Sequence, residues 1–116
     1  MRFQSLVPVL LVLLAYVARI QAIEDGYSPI GNINDPHVIE IANFAVTEFD
    51  KKSGATIKFE KIIKGESQIV HGTNYRLTFS AKIDSLTKVY EAIVYENKST
   101  RKLTSFRLVA FGLVHA

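Results

Sequence analysis

The side chains that could catalyse a reaction or bind a metal are few in this sequence and are not arranged for either purpose. Its 116 residues contain no cysteine, which excludes a thiol nucleophile, a disulfide framework and a zinc site built on thiolates. His37, His71 and His115 lack the spacing of metal ligands and are interpreted as solvated or capping side chains. No serine lies in a glycine elbow, and no carboxylate pair or phosphate-binding loop is recognisable. The sequence therefore predicts a protein that is not an enzyme and uses no cofactor.

The most informative stretch is Gln68-Ile69-Val70-His71-Gly72, which lies between two segments with the pattern of β-strands. A hairpin tip is usually short and polar, because it faces water and only has to turn the chain. Gly72 is expected to supply the turn, since glycine reaches positive φ without steric cost. Ile69 and Val70 are nevertheless apolar. Either they finish the strand and pack on the sheet, or they project from the tip and are buried in a partner.

Residues 1–22 have the pattern of a secretory signal peptide. Arg2 precedes an almost unbroken apolar run, and small residues follow at Ala18 and Ala22, where cleavage is expected. A membrane anchor is the alternative, but the apolar run is shorter than the ~20 residues that span a bilayer. We therefore expect a secreted chain with no membrane partner, whose single domain comprises residues 23–116.

The formal net charge of +3 depends on this first segment. Two of the 14 basic residues, Arg2 and Arg19, lie in it, which leaves 12 basic and 11 acidic side chains in residues 23–116. No basic stripe is interleaved with aromatic residues, so nucleic-acid binding is not predicted. Without disulfides, a secreted domain of about 94 residues depends on its apolar core for stability.

One amphipathic helix is predicted after a loose leader at residues 24–31. Asp35 can cap the free amides of the first turn, and Pro36 suits the first helical position. Gly54 can end the helix. Apolar residues recur every three or four positions along one face, at Val38, Ile41, Ala42, Ala45, Val46 and Phe49.

The chain after this helix has the pattern of β-strands joined by short turns, with a polar connection at residues 97–102. The phase of alternation slips at Ile62-Ile63, which suggests a bulge. Clean alternation from Tyr75 to Ile83 indicates one buried and one solvated face. The predicted strands cover residues 30–33, 56–70, 75–83, 87–95 and 103–109. The predicted fold is α+β, a single helix wrapped by a curved antiparallel β-sheet of four to five strands.

Three motifs in this framework resemble the cystatins, and in particular their plant branch. Residues 68–72 match the Q-x-V-x-G signature of the family's first loop. Residues 41–46, Ile-Ala-Asn-Phe-Ala-Val, are similar to the L-A-R-F-A-V helix motif of plant cystatins. Residues 26–30, Gly-Tyr-Ser-Pro-Ile, resemble the leader of that branch. Together the motifs are specific, although the first alone would be weak.

The resemblance implies a reversible, tight-binding inhibitor of papain-like cysteine proteases. Members of this family place a wedge in the active-site cleft, made of the N-terminal leader and two hairpin loops. They block the enzyme without catalytic residues of their own. A monomer is expected, and exchange of the first hairpin between chains would give a domain-swapped dimer. The protease-binding residues implied by the resemblance are Gly26, Gln68, Ile69, Val70, His71, Gly72, Lys98 and Ser99.

Two departures from the family pattern keep other functions open. Asp25 replaces the first of two adjacent leader glycines, and Asn97-Lys98-Ser99 stands where the second loop usually carries Pro-Trp. Asn97 also begins the N-x-S sequon, so it is a candidate for N-glycosylation, with an unmodified polar turn as the alternative. One rival function is a secreted binding or structural module of cystatin fold with weak or no inhibition. A more distant rival is a small enzyme with a pocket enclosed by the sheet.

Overall fold

The computed structural model describes residues 26–111, in which one helix packs across one antiparallel sheet. The elements are β1 (Ser28–Pro29), α1 (Pro36–Ser53), β2 (Lys58–Ile69), β3 (Thr73–Ile83), β4 (Leu86–Asn97) and β5 (Thr100–Phe111). The strand order is β1-β2-β3-β4-β5, so consecutive strands pair as a meander. The predicted α+β fold is confirmed, with five strands. The predicted signal peptide, the residue Asp25 and His115 lie outside the described residues.

The helix α1 begins and ends where its capping residues predict. Asp35 Oδ1 accepts a hydrogen bond from His37 N–H at 2.8 Å, and Pro36 occupies the first turn. Gly54 ends the helix in the left-handed region, at φ 77°, and donates its N–H to Asp50 O at 2.9 Å. Within residues 26–111, no helix has the length and apolar character needed to cross a membrane.

The apolar face of α1 packs on the inner face of the sheet, as its periodicity predicts. Phe79 on β3 is fully buried, and its ring contacts those of Phe59, Tyr90 and Phe106 at centroid distances of 5.7, 6.1 and 5.9 Å. Phe49 on the helix stacks on Phe106 at 4.1 Å, which joins α1 to the edge strand β5. Phe106 of β5 packs against the buried core, which is formed by side chains of α1, β2, β3 and β4 together with Ile57: Val38, Ile41, Ala42, Ala45, Val46, Ile57, Ile62, Leu77, Phe79, Ala81, Tyr90, Ala92 and Val94.

Register shifts in two strand pairs let the sheet curve around the helix. The pairing of β2 with β3 shifts between Phe59 and Lys61 and again between Ile62 and Lys64, which confirms the predicted bulge. The pairing of β4 with β5 shifts twice as well, after Val89 and after Ile93. Each irregularity increases the local twist of its strand, so the sheet can follow the cylindrical surface of α1.

Two predicted boundaries differ most from the structure. The first strand is Ser28–Pro29 and not residues 30–33: Ile30 N–H still donates to Gly65 O, but the pairing ends there, and the side chains of Ile30 and Ile33 pack over Gly65. The polar connection predicted at residues 97–102 is only the two-residue turn Lys98-Ser99 between β4 and β5, and β5 already begins at Thr100. Polar side chains at residues 100–102 suggested a loop, but they belong to a strand.

Candidate functional site

The first hairpin, between β2 and β3, exposes an apolar tip. Ile69 is 86% exposed and Val70 is 43% exposed, so the hypothesis that Ile69 packs on the sheet is wrong. Val70 N–H donates to Gly72 O at 2.8 Å, which closes the tip tightly. The turn uses a positive φ of 58° at His71, and His71 itself is exposed. The tip therefore offers apolar surface that has no partner within the described residues.

Gly72 has a role different from the predicted one, because its backbone does not adopt a positive φ. A Cβ added at Gly72 would lie 2.6 Å from Glu96 O and 2.7 Å from Tyr95 Oη. No side chain fits at such distances. Gly72 therefore allows the first hairpin to pack directly on β4. The contact lies at the base of the β4–β5 hairpin, which holds the second loop of the family pattern and is termed the second hairpin.

The leader reaches the first hairpin from the other side. Gly26 has φ 80°, and a Cβ there would lie 2.9 Å from Gln68 Nε2. Gln68 in turn accepts a hydrogen bond at Oε1 from Asn74 Nδ2 at 3.0 Å, across the β2–β3 pair. The leader, the first hairpin and the second hairpin thus contact one another in series. The structure brings the predicted residues Gly26, Gln68 and Gly72 together at one end of the molecule.

The second hairpin is a two-residue turn between Asn97 and Thr100. Lys98 adopts a positive φ of 58°, and residues 97–100 are all exposed. An open depression of about 490 Å³ is lined by this turn and by Tyr95. Asn97 Nδ2 lies 3.4 Å from Tyr95 Oη. Lys98 and Ser99 are therefore accessible to a partner, and the side chain of Asn97 is accessible to a modifying enzyme.

A cluster of ion pairs supports the base of the second hairpin. Glu96 accepts hydrogen bonds from His37 Nε2 at 2.7 Å and from Arg101 Nε at 2.8 Å, so it joins β4 to both α1 and β5. Arg101 also contacts Glu40 at 3.2 Å, and His37 lies 3.5 Å from Glu40. Partial burial acts to raise the pKa of Glu96, but the hydrogen bonds from His37 and Arg101 outweigh it and hold the pKa below its ordinary value.

We expect Glu96→Gln to lower the free energy of unfolding by about 1–2 kcal/mol near pH 7, since a charged acceptor of two hydrogen bonds becomes neutral. Because folding lowers the pKa of Glu96, its stabilisation is complete above the ordinary pKa of 4.5 and is lost as pH falls through the folded value. Urea unfolding at about pH 7 and about pH 3 measures both effects.

The control for Glu96→Gln is Glu91→Gln. The partner of Glu91, Arg107, is 61% exposed, so this ion pair should contribute little to the free energy of unfolding at either pH. The loss caused by Glu96→Gln should shrink at the lower pH. A loss of equal size at both pH values would rule out the carboxylate as its cause.

Several supporting residues were not predicted from the sequence. Asn74 donates a hydrogen bond to Gln68, and Tyr95 and the Glu96 carbonyl pack against Gly72. Their only signal in the sequence is their position two or three residues from a hairpin turn, which does not reveal a cross-strand partner. Among residues 26–111, no group of histidine and carboxylate side chains could hold a metal ion. The arrangement presents an exposed apolar tip beside an exposed polar turn.

Comparisons with known sequences find inhibitors of proteases. A family model described as "SQAPI: Aspartic acid proteinase inhibitor" matches residues 30–109. Cysteine proteinase inhibitor 5 of Arabidopsis thaliana is 45% identical over 107 residues, which cover 90% of this chain and 88% of that protein. Cystatin-1 of Zea mays is 35% identical over 128 residues, with 96% and 95% covered.

Solved structures share the fold at lower identity. The salivary cystatin from the soft tick Ornithodoros moubata aligns with a TM-score of 0.63 at 17% identity, over 72% of this chain and 96% of that one. A gut cystatin from the hard tick Ixodes ricinus, Mialostatin, aligns with a TM-score of 0.62 at 17% identity, over 73% and 98%. At this identity the likeness concerns the arrangement of helix and sheet alone.

Proposed function

The chain belongs to the plant cysteine proteinase inhibitors, the plant branch of the cystatins, and on this premise we propose that it is a reversible, tight-binding inhibitor of papain-like cysteine proteases. The leader at Gly26, the first hairpin at residues 68–72 and the second hairpin at Lys98-Ser99 would enter the active-site cleft as one wedge. The chain would act as an inhibitor and not as an enzyme, in keeping with relatives that are named as inhibitors.

The observation that carries this proposal is the exposed apolar tip of the first hairpin. Ile69 is 86% exposed, although burial of its side chain would be favourable by about 25 cal/mol for each Å² of apolar surface removed from water. Part of that gain is offset by the loss of freedom on association. A rigid tip loses less freedom than a flexible one, and the bond from Val70 N–H to Gly72 O holds the tip closed.

The closed tip also accounts for inhibition without cleavage. His71 lies at a positive φ of 58°, so the backbone reverses direction where an enzyme would need an extended peptide. The proposed contact therefore covers the catalytic cysteine of the protease without placing a peptide bond in the geometry for attack.

Titration of papain with the chain beginning at Ile23 tests the proposal. We expect stoichiometric loss of activity that returns on dilution and leaves the inhibitor intact. A folded chain that leaves papain fully active would make the binding or structural module the better hypothesis. Parallel titration of pepsin examines the activity named by the matching family model, and inhibition of pepsin alone would redirect the proposal to aspartic proteases.

The second hairpin can be strengthened. We expect Ser99→Trp to lower the inhibition constant for papain roughly fivefold to tenfold, because a tryptophan at an interface buries a large apolar surface. Ser99 is exposed, so the larger side chain meets no obstacle in the free protein. Thr56→Trp, an exposed site beyond the far end of α1, is the control. An unchanged inhibition constant for Ser99→Trp would remove the second hairpin from the proposed interface.

Proline is not a suitable replacement at Lys98, although related second loops usually carry Pro-Trp. Its φ of 58° cannot be reached by proline, whose ring holds φ near −65°. The paired variant Lys98→Pro/Ser99→Trp would therefore have to rebuild the turn, and the single substitution is the cleaner test.

Secretion and a monomeric state complete the proposal, and Asn97 is a candidate for N-glycosylation, with an unmodified turn as the alternative. The intact mass of the chain secreted by plant cells examines secretion and glycosylation, since it reports removal of residues 1–22 and any glycan on Asn97. A secreted mass without the glycan would exclude the modification under those conditions. Size-exclusion chromatography separates the monomer from a dimer formed by exchange of the first hairpin.

A further inference from the structure

Within residues 26–111, the N-terminal leader is joined to the sheet by few backbone contacts. The strand β1 contains only Ser28 and Pro29, and Pro29 has no N–H to donate to β2. One further bond runs from Ile30 N–H to Gly65 O at 2.9 Å. A segment attached so sparingly would fray unless side chains held it.

Arg76 on β3 supplies such a side-chain contact. Its guanidinium carbon lies 4.0 Å from the centroid of the Tyr27 ring, which is the geometry of a cation–π interaction. Arg76 Nε donates to Glu66 Oε1 at 2.8 Å, and the two side chains are only 24% and 15% exposed. Glu66 therefore fixes the guanidinium, and the guanidinium in turn fixes the Tyr27 ring.

This stack lies next to residues of the proposed protease-binding surface. Tyr27 directly follows Gly26, and Gly26 packs closely on the Gln68 side chain, since a Cβ there would lie 2.9 Å from Gln68 Nε2. Gln68 is held in turn by Asn74. The Tyr27 ring therefore lies where the leader departs from the body of the molecule.

We propose that Arg76 is a positioning residue for inhibition, which holds Tyr27 and thereby presents the leader beside the first hairpin in the conformation that enters a protease cleft. The proposal rests on the proposed function and adds a residue to it. Ordering the leader before association reduces the conformational entropy lost on binding, so loss of Arg76 should weaken inhibition even where Arg76 does not contact the enzyme.

A double-mutant cycle tests this coupling. We expect Arg76→Ala and Tyr27→Ala each to raise the inhibition constant for papain roughly threefold to tenfold, the range of a cation–π contact. The inhibition constant of the double variant should be no higher than that of the less inhibitory single variant, because both substitutions remove the same contact. Tyr27→Phe keeps the ring and should keep the coupling to Arg76.

The matched control is Arg107→Ala, which removes an arginine of β5 that pairs with Glu91 at 2.9 Å, on the sheet edge opposite the leader. It should leave the inhibition constant unchanged. Fully additive losses in the double variant, or no loss in Arg76→Ala, would overturn the proposal.

Amide hydrogen exchange provides a readout that does not depend on inhibition. In the free protein, Arg76→Ala should accelerate exchange of the Ile30 amide roughly threefold to tenfold, while Arg107→Ala leaves it unchanged. Unaltered exchange at Ile30 would count against the role of Arg76. If the parent chain fails to inhibit papain, the proposed function fails, and accelerated exchange would still support the assignment of Arg76 as the residue that orders the leader.

Discussion

Replacing both apolar residues of the first tip, as Ile69→Asp/Val70→Asp, should raise the inhibition constant for papain at least about a hundredfold. The proposed complex removes both side chains from water, so each aspartate would have to be desolvated without a partner. Loss of a central apolar contact in an interface alone costs about 2 kcal/mol or more, and about 2.7 kcal/mol corresponds to a factor of a hundred. Measurement of the inhibition constant for the parent and the variant gives the effect directly.

The exposure of the tip makes this variant interpretable. Ile69 is 86% and Val70 43% exposed in the free protein, so the substitutions should change the free energy of unfolding by only about 0.5 kcal/mol. Leu108→Asp/Val109→Asp is the matched control, because these residues are 42% and 46% exposed and lie towards the end of β5 away from the second hairpin. Retained inhibition by the tip variant would exclude the first hairpin as the main contact.

Gly72→Ala should lower the free energy of unfolding by about 1–3 kcal/mol and weaken inhibition at least about tenfold. The added methyl group would lie 2.6 Å from Glu96 O, which is backbone paired with Thr73 and cannot withdraw without disturbing the β3–β4 ladder. The first hairpin would have to move away from the second, and the wedge would lose its shape. Urea unfolding and papain titration measure the two effects.

Gly31→Ala is the control for Gly72, because no heavy atom lies within 4 Å of the position that its Cβ would take. We expect it to be neutral or slightly stabilising. Adding Tyr95→Phe to Gly72→Ala should restore only part of the stability, since it removes the contact with Tyr95 Oη and leaves those with the ring atom Cζ at 2.9 Å and with the Glu96 carbonyl. A stable, fully inhibitory Gly72→Ala variant would show that the two hairpins do not need this close approach.

The first hairpin is where the structure differs most from what the sequence predicts. The sequence predicted residues 68–72 as the main protease-binding loop and assigned the positive φ to Gly72. In the structure His71 adopts the positive φ, and Gly72 is required by the closeness of Tyr95 and Glu96. A glycine in a turn motif indicates that a side chain is excluded, and it does not say whether the backbone or a neighbour excludes it.

The sequence by itself determined α1 and its caps, the order of the hairpins and the residues at their tips. These features depend on neighbours within a few positions: Asp35 caps an amide two residues on, and the face from Val38 to Phe49 repeats every three or four residues. Only the tertiary structure decided which distant residues support the tips. Arg76 meets Tyr27, and Glu96 meets His37, across gaps of 49 and 59 positions. Such contacts depend on strand register and on bulges that curve the sheet, and no local pattern encodes them.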